Sequence, residues 1–450
     1  MGLSGVHTPL VGMVDLFGRE LRKRQLVVAV LAKVVRLHGY EQVEVPLVER
    51  ATSFSEEVVG RSPWPEWDSR GCFHLRAPDY PSSYEDAPDH TDVLLVPEGT
   101  ISVTRWIGCR LAESPDMIFP VKLFYDMPCF RNEVVAELTG TKRRQFTQFG
   151  LEILGAEPGN SDVEAVYLIT RCLEELGVAA GGTRVRVGDV GVFNRLVELS
   201  GLGPDAAIQV KEVLDAMAEC KAGKAPERAS GLLGRLAGVL DAGGVSRLPH
   251  DVWMGLAHAG DSVSFLRALH DSVIDERLDD LARLVHVLEA LGVRVETDLC
   301  VVRSHEYYTG IVFEIDVVTE EYSHVEVGGG GRYDKLVGHF VPDGGVDRIP
   351  ATGFAFGVER LVELLDHLDL LPAHRVLRSS IGLSESSAEK LVASGPGAQE
   401  YLSAVRIAAA DRAAGHPVDI YLGVPDQVER YAESRKIPQT VSCEPQRADR

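Results

Sequence analysis

The sequence lacks any close pair of cysteines. Its seven (Cys72, Cys109, Cys129, Cys172, Cys220, Cys300 and Cys443) are scattered with no Cys-x-x-Cys spacing. That argues against a zinc or disulfide framework and for buried free thiols in a reducing compartment. No apolar run approaches the roughly 18 residues of a membrane span, and no basic start leads into an apolar segment of the secretory type. The expectation is a soluble, cytoplasmic protein. Positive charge is also in short supply: 46 Lys and Arg against 67 Asp and Glu give a formal net charge of -21. There is no global field to attract a polyanion, so contact with nucleic acid would need a local basic patch. Repeats and low-complexity segments are absent too. What remains is an ordinary globular composition, 45% hydrophobic and 25% charged, in 450 residues, enough for two or three domains with a large core.

Periodicity divides the chain. Apolar residues recur at helical spacing from Val14 to His38, with Gly39 as the stop, and Val43–Val48 alternates like a strand with Pro46 at an edge or interface. Residues 62–92 read as a hairpin with a long surface loop, either a lid or an insertion. Strands are expected at Val93–Val96, Val121–Tyr125, around Arg131 and at Phe146–Leu154. A Ser161-x-x-Glu164 capping box opens a helix ending near Gly177. Residues 190–290 are helical in pattern. Strands resume at Val301–Val302, Ile311–Val317 and His324–Val327, followed by a glycine-rich turn, a strand at Ala351–Phe356 and a helix from Val358. Past Leu371 short α and β units follow, with a strand at Val418–Leu422, a helix from Asp426 and a last strand near Thr440–Cys443. That tail carries ten Lys/Arg and ten Asp/Glu, so it has no net basic character. The fold class expected is α+β, an antiparallel sheet flanked by helices. The domains expected are 1–185 and 293–370 as one body, 186–292 as a helical insertion and 371–450 as a small α/β unit.

Several blocks carry chemistry. Phe130-Arg131-Asn132-Glu133 and Arg144-Gln145-Phe146-Thr147-Gln148-Phe149-Gly150-Leu151-Glu152 place an arginine, an aromatic ring, a glutamine and carboxylates on two strands. A guanidinium forks onto phosphate, a ring stacks on a base, and carboxylates hold an ammonium. Pro97-Glu98-Gly99-Thr100 puts a carboxylate and a hydroxyl in one turn, which is also what an acidic helix N-terminus looks like. Arg303-Ser304-His305-Glu306-Tyr307-Tyr308-Thr309-Gly310 sets an arginine and two tyrosines beside a turn. Gly328-Gly329-Gly330-Gly331-Arg332-Tyr333-Asp334 lets backbone come close to a ligand. Gly353–Arg360 is a strand-to-helix junction that presents Arg360. Three arginines (Arg131, Arg303, Arg360) suit a triphosphate better than a structural ion pair.

On these residues the chain resembles histidyl-tRNA synthetases, class II aminoacyl-tRNA synthetases, over roughly residues 10 to 370. Gly39–Glu49 resembles the first class motif, which forms the dimer interface; Phe130–Glu152 resembles the second and Gly353–Arg360 the third. Pro97–Thr100, Arg303–Gly310 and Gly328–Asp334 match segments of the histidyl branch. The resemblance implies that Arg131 holds the α-phosphate and the amino-acid carboxylate, that Phe146 stacks on adenine and that Arg360 meets the γ-phosphate. Glu133 and Arg144 belong to the same ATP site. Arg303 would stabilise charge at the α-phosphate. Glu98, Thr100 and Gln148 would bind the α-ammonium, Glu152, Tyr307 and Tyr308 would read an imidazole, and Gly329 and Gly331 would line the amino-acid pocket. ATP with Mg²⁺, histidine or a similar amino acid, tRNA and a homodimer are the partners implied, with no metal assigned to protein side chains and no membrane.

The sequence departs from that family in four places. Val96 stands where the segment before Pro97-Glu98-Gly99-Thr100 usually has arginine. The loop after Arg131 reads Glu133-Val134-Val135-Ala136 instead of Glu-Arg-Pro-Gln. Ser304-His305-Glu306 replaces Gly-Leu-Asp, and the C-terminal unit stops near Cys443. Activation of an amino acid with transfer to tRNA is the first expectation. A paralogue delivering the aminoacyl group to another acceptor is the second, and a non-catalytic ATP phosphoribosyltransferase regulatory subunit the third.

Overall fold

Leu26, Val27, Leu31, Val34 and Val35 line one buried stripe of α1 (Gly18–Leu37) in the computed structural model of the protein. The structure describes residues 8–60, 71–76, 92–132, 142–223, 225–258, 262–303, 307–318, 325–342, 348–371, 390–395, 397–434 and 437–442. The turn after α1 ends at Gly39, whose φ of 86° suits glycine. The strand expected from Val43 to Val48 is instead two short pieces, β1 (Glu41–Gln42) and β2 (Val48–Arg50). Pro46 lies between them and has no N–H for a ladder. After α2 (Glu56–Val59), β3 (His74–Arg76) and β4 (Asp92–Leu95) join β2 in a small antiparallel sheet. Most of the loop expected across residues 62–92 lies outside the described residues.

The chain continues through α3 (Gly99–Glu113), β5 (Val121–Phe130), β6 (Gln145–Leu154), α4 (Asn160–Glu175) and β7 (Thr183–Asp189). The capping box of α4 is displaced from its expected place. The Gly159 N–H donates to Asp162 Oδ2 at 2.9 Å, while Ser161 donates to the Glu157 carbonyl at 3.0 Å and Glu164 is buried on Lys122 at 3.1 Å. Six helices follow: α5 (Val190–Ser200), α6 (Pro204–Lys221), α7 (Ala229–Ala242), α8 (Arg247–His258), α9 (Ser262–Arg267) and α10 (Ser272–Ala290). The sheet resumes at β8 (Val295–Thr297), not at Val301–Val302, which are buried without strand pairing. Then come β9 (Ile311–Val317), β10 (Val325–Arg332), β11 (Ala351–Gly357) and α11 (Val358–His367).

These strands form an eight-stranded sheet in the order β1-β5-β6-β11-β10-β9-β7-β8. Its inner pairs are antiparallel, and only β1 with β5 and β7 with β8 run parallel among the described pairs. The fold is α+β, as the sequence led us to expect. The glycine-rich stretch Gly328–Gly331 is not a turn: it lies within β10 and pairs on both sides. Among the described residues no helix is long and apolar enough to cross a membrane. Cys72, Cys129, Cys172, Cys220 and Cys300 are buried free thiols, whereas Cys109 is exposed, contrary to the expectation for all seven; Cys443 lies outside the described residues.

The C-terminal segment forms β12 (Lys390–Ala393), α12 (Ala398–Ala413), β13 (Val418–Tyr421), α13 (Val428–Ser434) and β14 (Gln439–Ser442), with a parallel sheet ordered β13-β12-β14. It docks on the body through buried charge. Lys122 Nζ on β5 bonds Asp419 on β13 and the Ile420 carbonyl at 2.7 Å, and it pairs with Glu164 on α4. Tyr431 donates to Asp419 at 2.6 Å and Tyr40 to Glu164 at 3.2 Å. Removing the cation would leave two carboxylates buried without their partner. Lys122→Ala is therefore expected to cost about 3–5 kcal/mol, read as a lower urea midpoint, and to expose the segment after Lys390 to protease.

Candidate functional site

Side chains alternate along a strand, and the pairing brings one face of five strands together. β6 contributes Phe146, Gln148, Gly150 and Glu152. Their partners across the ladders are Cys129, Met127, Tyr125 and Leu123 on β5, and Gly357, Ala355 and Gly353 on β11. Gly353 and Ala355 then pair with Gly331 and Gly329 on β10, which pair with Val312 and Glu314 on β9. The middle of this face is therefore nearly free of side chains, while glutamates, glutamine and arginines stand around it. That is why a floor exists at all.

Two cavities open on the floor. The first, of about 300 Å³, is bordered by Glu98, Thr100, Tyr307, Tyr308, Tyr333 and Asp215. The second, of about 280 Å³, is bordered by Lys142, Arg143, Phe146, Gly328, Phe356 and Glu359. They meet at Arg131, Gln148, Arg303, Glu326, Gly329, Ala355 and Arg360. The second cavity counts five cationic side chains (Arg131, Lys142, Arg143, Arg303, Arg360) against two carboxylates. The first counts five carboxylates (Glu98, Asp215, Glu219, Glu314, Glu326) against three arginines. The two sides thus differ in sign, and the arginines stand on the border.

The groups at and beside the border are held in place. Glu98 caps α3, accepting from Ile101 N at 2.8 Å and Thr100 N at 3.2 Å. Burial raises its pKa above the usual carboxylate range even though those N–H groups favour the charged form. From sequence alone this residue fits both a helix N-terminus and a ligand contact; it is an N-cap that also lines the first cavity. Gln148 accepts from Gly99 N at 2.7 Å, which sets its amide. Arg131 donates to the Pro97 carbonyl at 3.2 Å, and its guanidinium lies 5.1 Å from the Phe146 ring centre. One face of that ring is thus already covered by a cation.

Arg303 has φ 47°, a conformation most side chains avoid. Its guanidinium lies 3.6 Å from Glu314 and 3.9 Å from Glu326. Glu326 also faces Arg360 at 3.8 Å, and its carbonyl accepts from Arg360 at 3.1 Å. Gly329 is needed here, since a side chain there would strike the Arg303 guanidinium and approach the Phe313 carbonyl to 2.8 Å.

Glu152 lies at the inner end, fully buried, and accepts from the hydroxyls of Tyr333 and, at 3.3 Å, Tyr125. Burial pushes its pKa up to about 8, so the folded state favours the protonated carboxyl. Tyr307 packs on Tyr308 at 4.8 Å and edge-on to Tyr333 at 6.0 Å. Gly353 lies against the Glu152 carboxylate, and a methyl there would also come within 2.6 Å of the Leu151 carbonyl. Gly353→Ala is therefore expected to lower stability by about 1–3 kcal/mol, measured by thermal unfolding, and to displace Glu152.

Glu98, Thr100, Arg131, Phe146, Gln148, Arg303, Tyr307, Tyr308, Gly329 and Arg360 border one or both cavities. Glu152 reaches the first through Tyr333. Arg144 and Gly331 border neither. The Arg144 backbone joins Arg131 N to the Gly12 carbonyl, with Lys142 and Arg143 turned to the second cavity instead. Gly331 makes room for Tyr308, 3.0 Å from where its side chain would begin. Glu133 and Ser304–Glu306 lie outside the described residues. Tyr125, Tyr333, Glu314, Glu326, Asp215 and Glu219 also stand at the site, and none of them is a candidate from the sequence. Tyr333 stands in the glycine-run block and Glu314 in the strand before it, so alternation from a correct register finds both. Arg332 from the same block points to the opposite face, onto Asp162 and Asp334 at 2.9 Å each.

The family model described as histidyl-tRNA synthetase matches residues 84–361. A histidine--tRNA ligase of Brucella ovis is 31% identical over 386 residues, 80% of this chain and 71% of that protein. An ATP phosphoribosyltransferase regulatory subunit of Rubrobacter xylanophilus is 29% identical over 407 residues, 89% and 82% of the two chains. Among solved structures, an ATP phosphoribosyltransferase regulatory subunit/histidyl-tRNA synthetase from Bacillus halodurans superposes with a TM-score of 0.61 at 21% identity, over 97% of this chain and 98% of that one. A Nostoc histidyl-tRNA synthetase gives 0.60 at 18% identity, over 96% and 90%. These two likenesses concern the fold.

Proposed function

The chain belongs to the histidyl-tRNA synthetase family, and from that premise we propose that it activates histidine, or an amino acid like it, with ATP and passes the aminoacyl group to tRNA. The observation that carries this reading is the meeting of an acidic and a basic cavity at Arg131, Gln148 and Arg303. A polyphosphate fits the basic side, with the base over Phe146. A zwitterion fits the acidic side, its ammonium at Glu98, Thr100 and Gln148, its carboxylate toward Arg131 and an imidazole toward Tyr333 and Glu152. A carboxylate oxygen then attacks the α-phosphorus, the bond to pyrophosphate breaks, and Arg131 and Arg303 neutralise the charge that gathers on the phosphoryl oxygens.

Mg²⁺ fits the residues present. Glu326 stands at the border and Glu314 in the first cavity, both facing Arg303; Mg²⁺ is commonly held by one or two carboxylates together with substrate phosphates. Among the described residues no group of three or more His, Cys, Asp or Glu side chains forms a metal cage. When bound, the ion would polarise the phosphates.

One observation favours a second reading. Relatives named as ATP phosphoribosyltransferase regulatory subunits match as much of the chain as the ligases do, and Glu326 engages two of the three arginines. The experiment is charging of histidine tRNA beside histidine-dependent pyrophosphate release. Both are expected at comparable rates. Release without charging would move the acceptor from tRNA to another molecule, and stimulation of an ATP phosphoribosyltransferase catalytic subunit without either would support the regulatory reading. Light scattering is expected to show a homodimer through the region 39–49, where Glu41, Gln42 and Glu44 are exposed; a monomer would contradict it.

A further inference from the structure

α6 enters the first cavity from the helical segment between β7 and β8. It buries Val210, Val213, Leu214 and Met217, and that burial fixes its rotation. Asp215 and Glu219, four residues apart and so on one face, then border the cavity together with Arg303. Asp215 makes no hydrogen bond or ion pair with any described residue. Burial, with Glu219 and Glu326 nearby, raises its pKa to about 6 against the pull of Arg303 and Lys211. A part-buried carboxylate with opposite charge only at longer range, from Arg303 and Lys211, is costly, unless a closer partner arrives with a ligand.

The other carboxylates of the cavity are occupied. Glu98 caps α3. Glu314 pairs with Arg186 at 2.6 Å and faces Arg303, and Glu326 lies between Arg303 and Arg360. The three arginines of the first cavity are the same three that border the second. Once a polyphosphate takes them, the first cavity is left with an excess of negative charge beyond what one α-ammonium balances.

We propose that Asp215, with Glu219 beside it, binds a second protonated amine in the first cavity and so sets the protein's preference for an amine-bearing substrate. This rests on the reading that the cavity holds an amino acid for activation. The amine has two sources, a basic side chain on the activated amino acid or a separate amine acceptor. In the acceptor case the ammonium gives one proton to Asp215 and its nitrogen bonds to the carbonyl carbon of the adenylate. The bond from that carbon to the AMP oxygen breaks, and a second proton leaves to solvent.

Two assays on the full chain separate the sources. ATP–pyrophosphate exchange compares amino acids with cationic side chains and their neutral isosteres. AMP release with histidine compares primary amines with the matching alcohols. In one of them Asp215→Asn is expected to raise the KM of the cationic compound about tenfold while the neutral counterpart is unchanged, and Asp215→Glu is expected to restore much of it. Equal KM values in wild type and Asp215→Asn for all compounds in both assays, or equal losses for cationic and neutral compounds, overturn the proposal. Should no amino acid support exchange, the activation reading fails by itself. Calorimetric titration of 1,4-diaminobutane onto wild type and Asp215→Asn then decides the point: weaker binding to the variant supports the amine site, and indistinguishable binding overturns it.

Discussion

Arg303→Gln is expected to lower the rate of adenylate formation by about a thousandfold, the scale seen when one positioned charge-stabilising donor is removed. Arg303 borders both cavities, so it reaches the place where a carboxylate and an α-phosphate would meet. Arg186 ties Glu314 at 2.6 Å and Asp316 at 3.0 Å, and Glu314 in turn faces Arg303. The absent side chain of Gly329 gives Arg303 its path. The loss should fall on kcat more than on KM, because the guanidinium meets charge that grows in the transition state. Single-turnover formation of the adenylate measures it. A variant within threefold of wild type would remove Arg303 from the chemistry.

The second large effect is expected at Glu152. Glu152→Gln keeps the shape and the bond from Tyr333 but cannot become an anion. If the inner end reads a cationic or N–H-donating ring, the KM for histidine should rise by about a hundredfold, the cost of losing a charge-assisted bond in a buried site. The unliganded protein should respond in the opposite sense. Burial raises the Glu152 pKa from the ordinary carboxylate value to about 8, so the folded state favours the protonated form. The stability it contributes is present at low pH and is lost as pH rises from about 4.5 to about 8, where the folded carboxyl ionises. Burial also raises Asp215 to about 6 and Glu314 to about 7, which act in the same direction, so only the difference between wild type and variant isolates Glu152. Thermal unfolding followed from pH 5 to pH 9 should show the wild type losing more than Glu152→Gln. Parallel curves would mean that Glu152 is not a buried acid.

Much of this site was legible in the sequence because its residues come in short contiguous blocks. Glu98 and Thr100 share one turn, and Arg131, Phe146, Gln148 and Glu152 lie on or beside two paired strands. For Phe146, Gln148 and Glu152 the period of two also predicts a common face. Where the reading failed, non-local geometry decided. Four successive glycines suggest a turn, yet in β10 they accommodate the Gly353 and Ala355 carbonyls, the Arg303 guanidinium and Tyr308; those neighbours come from other strands and loops. An irregularity between Glu326 and Gly328 shifts the register of β10 against β9, so the place of Glu326 on the site face could not be counted from the sequence. Asp215 was hidden for another reason. On an amphipathic helix an acidic residue beside a buried stripe reads as solvated surface, and only the way α6 packs on the body turns it into the cavity.

ATP–pyrophosphate exchange over a panel of amino acids, with Arg303→Gln as control, tests the central claim most directly. Exchange is expected to depend on histidine or on a basic relative of it and to fall to background in the variant. No exchange with any amino acid at any Mg²⁺ concentration, from protein shown to be folded, would contradict it.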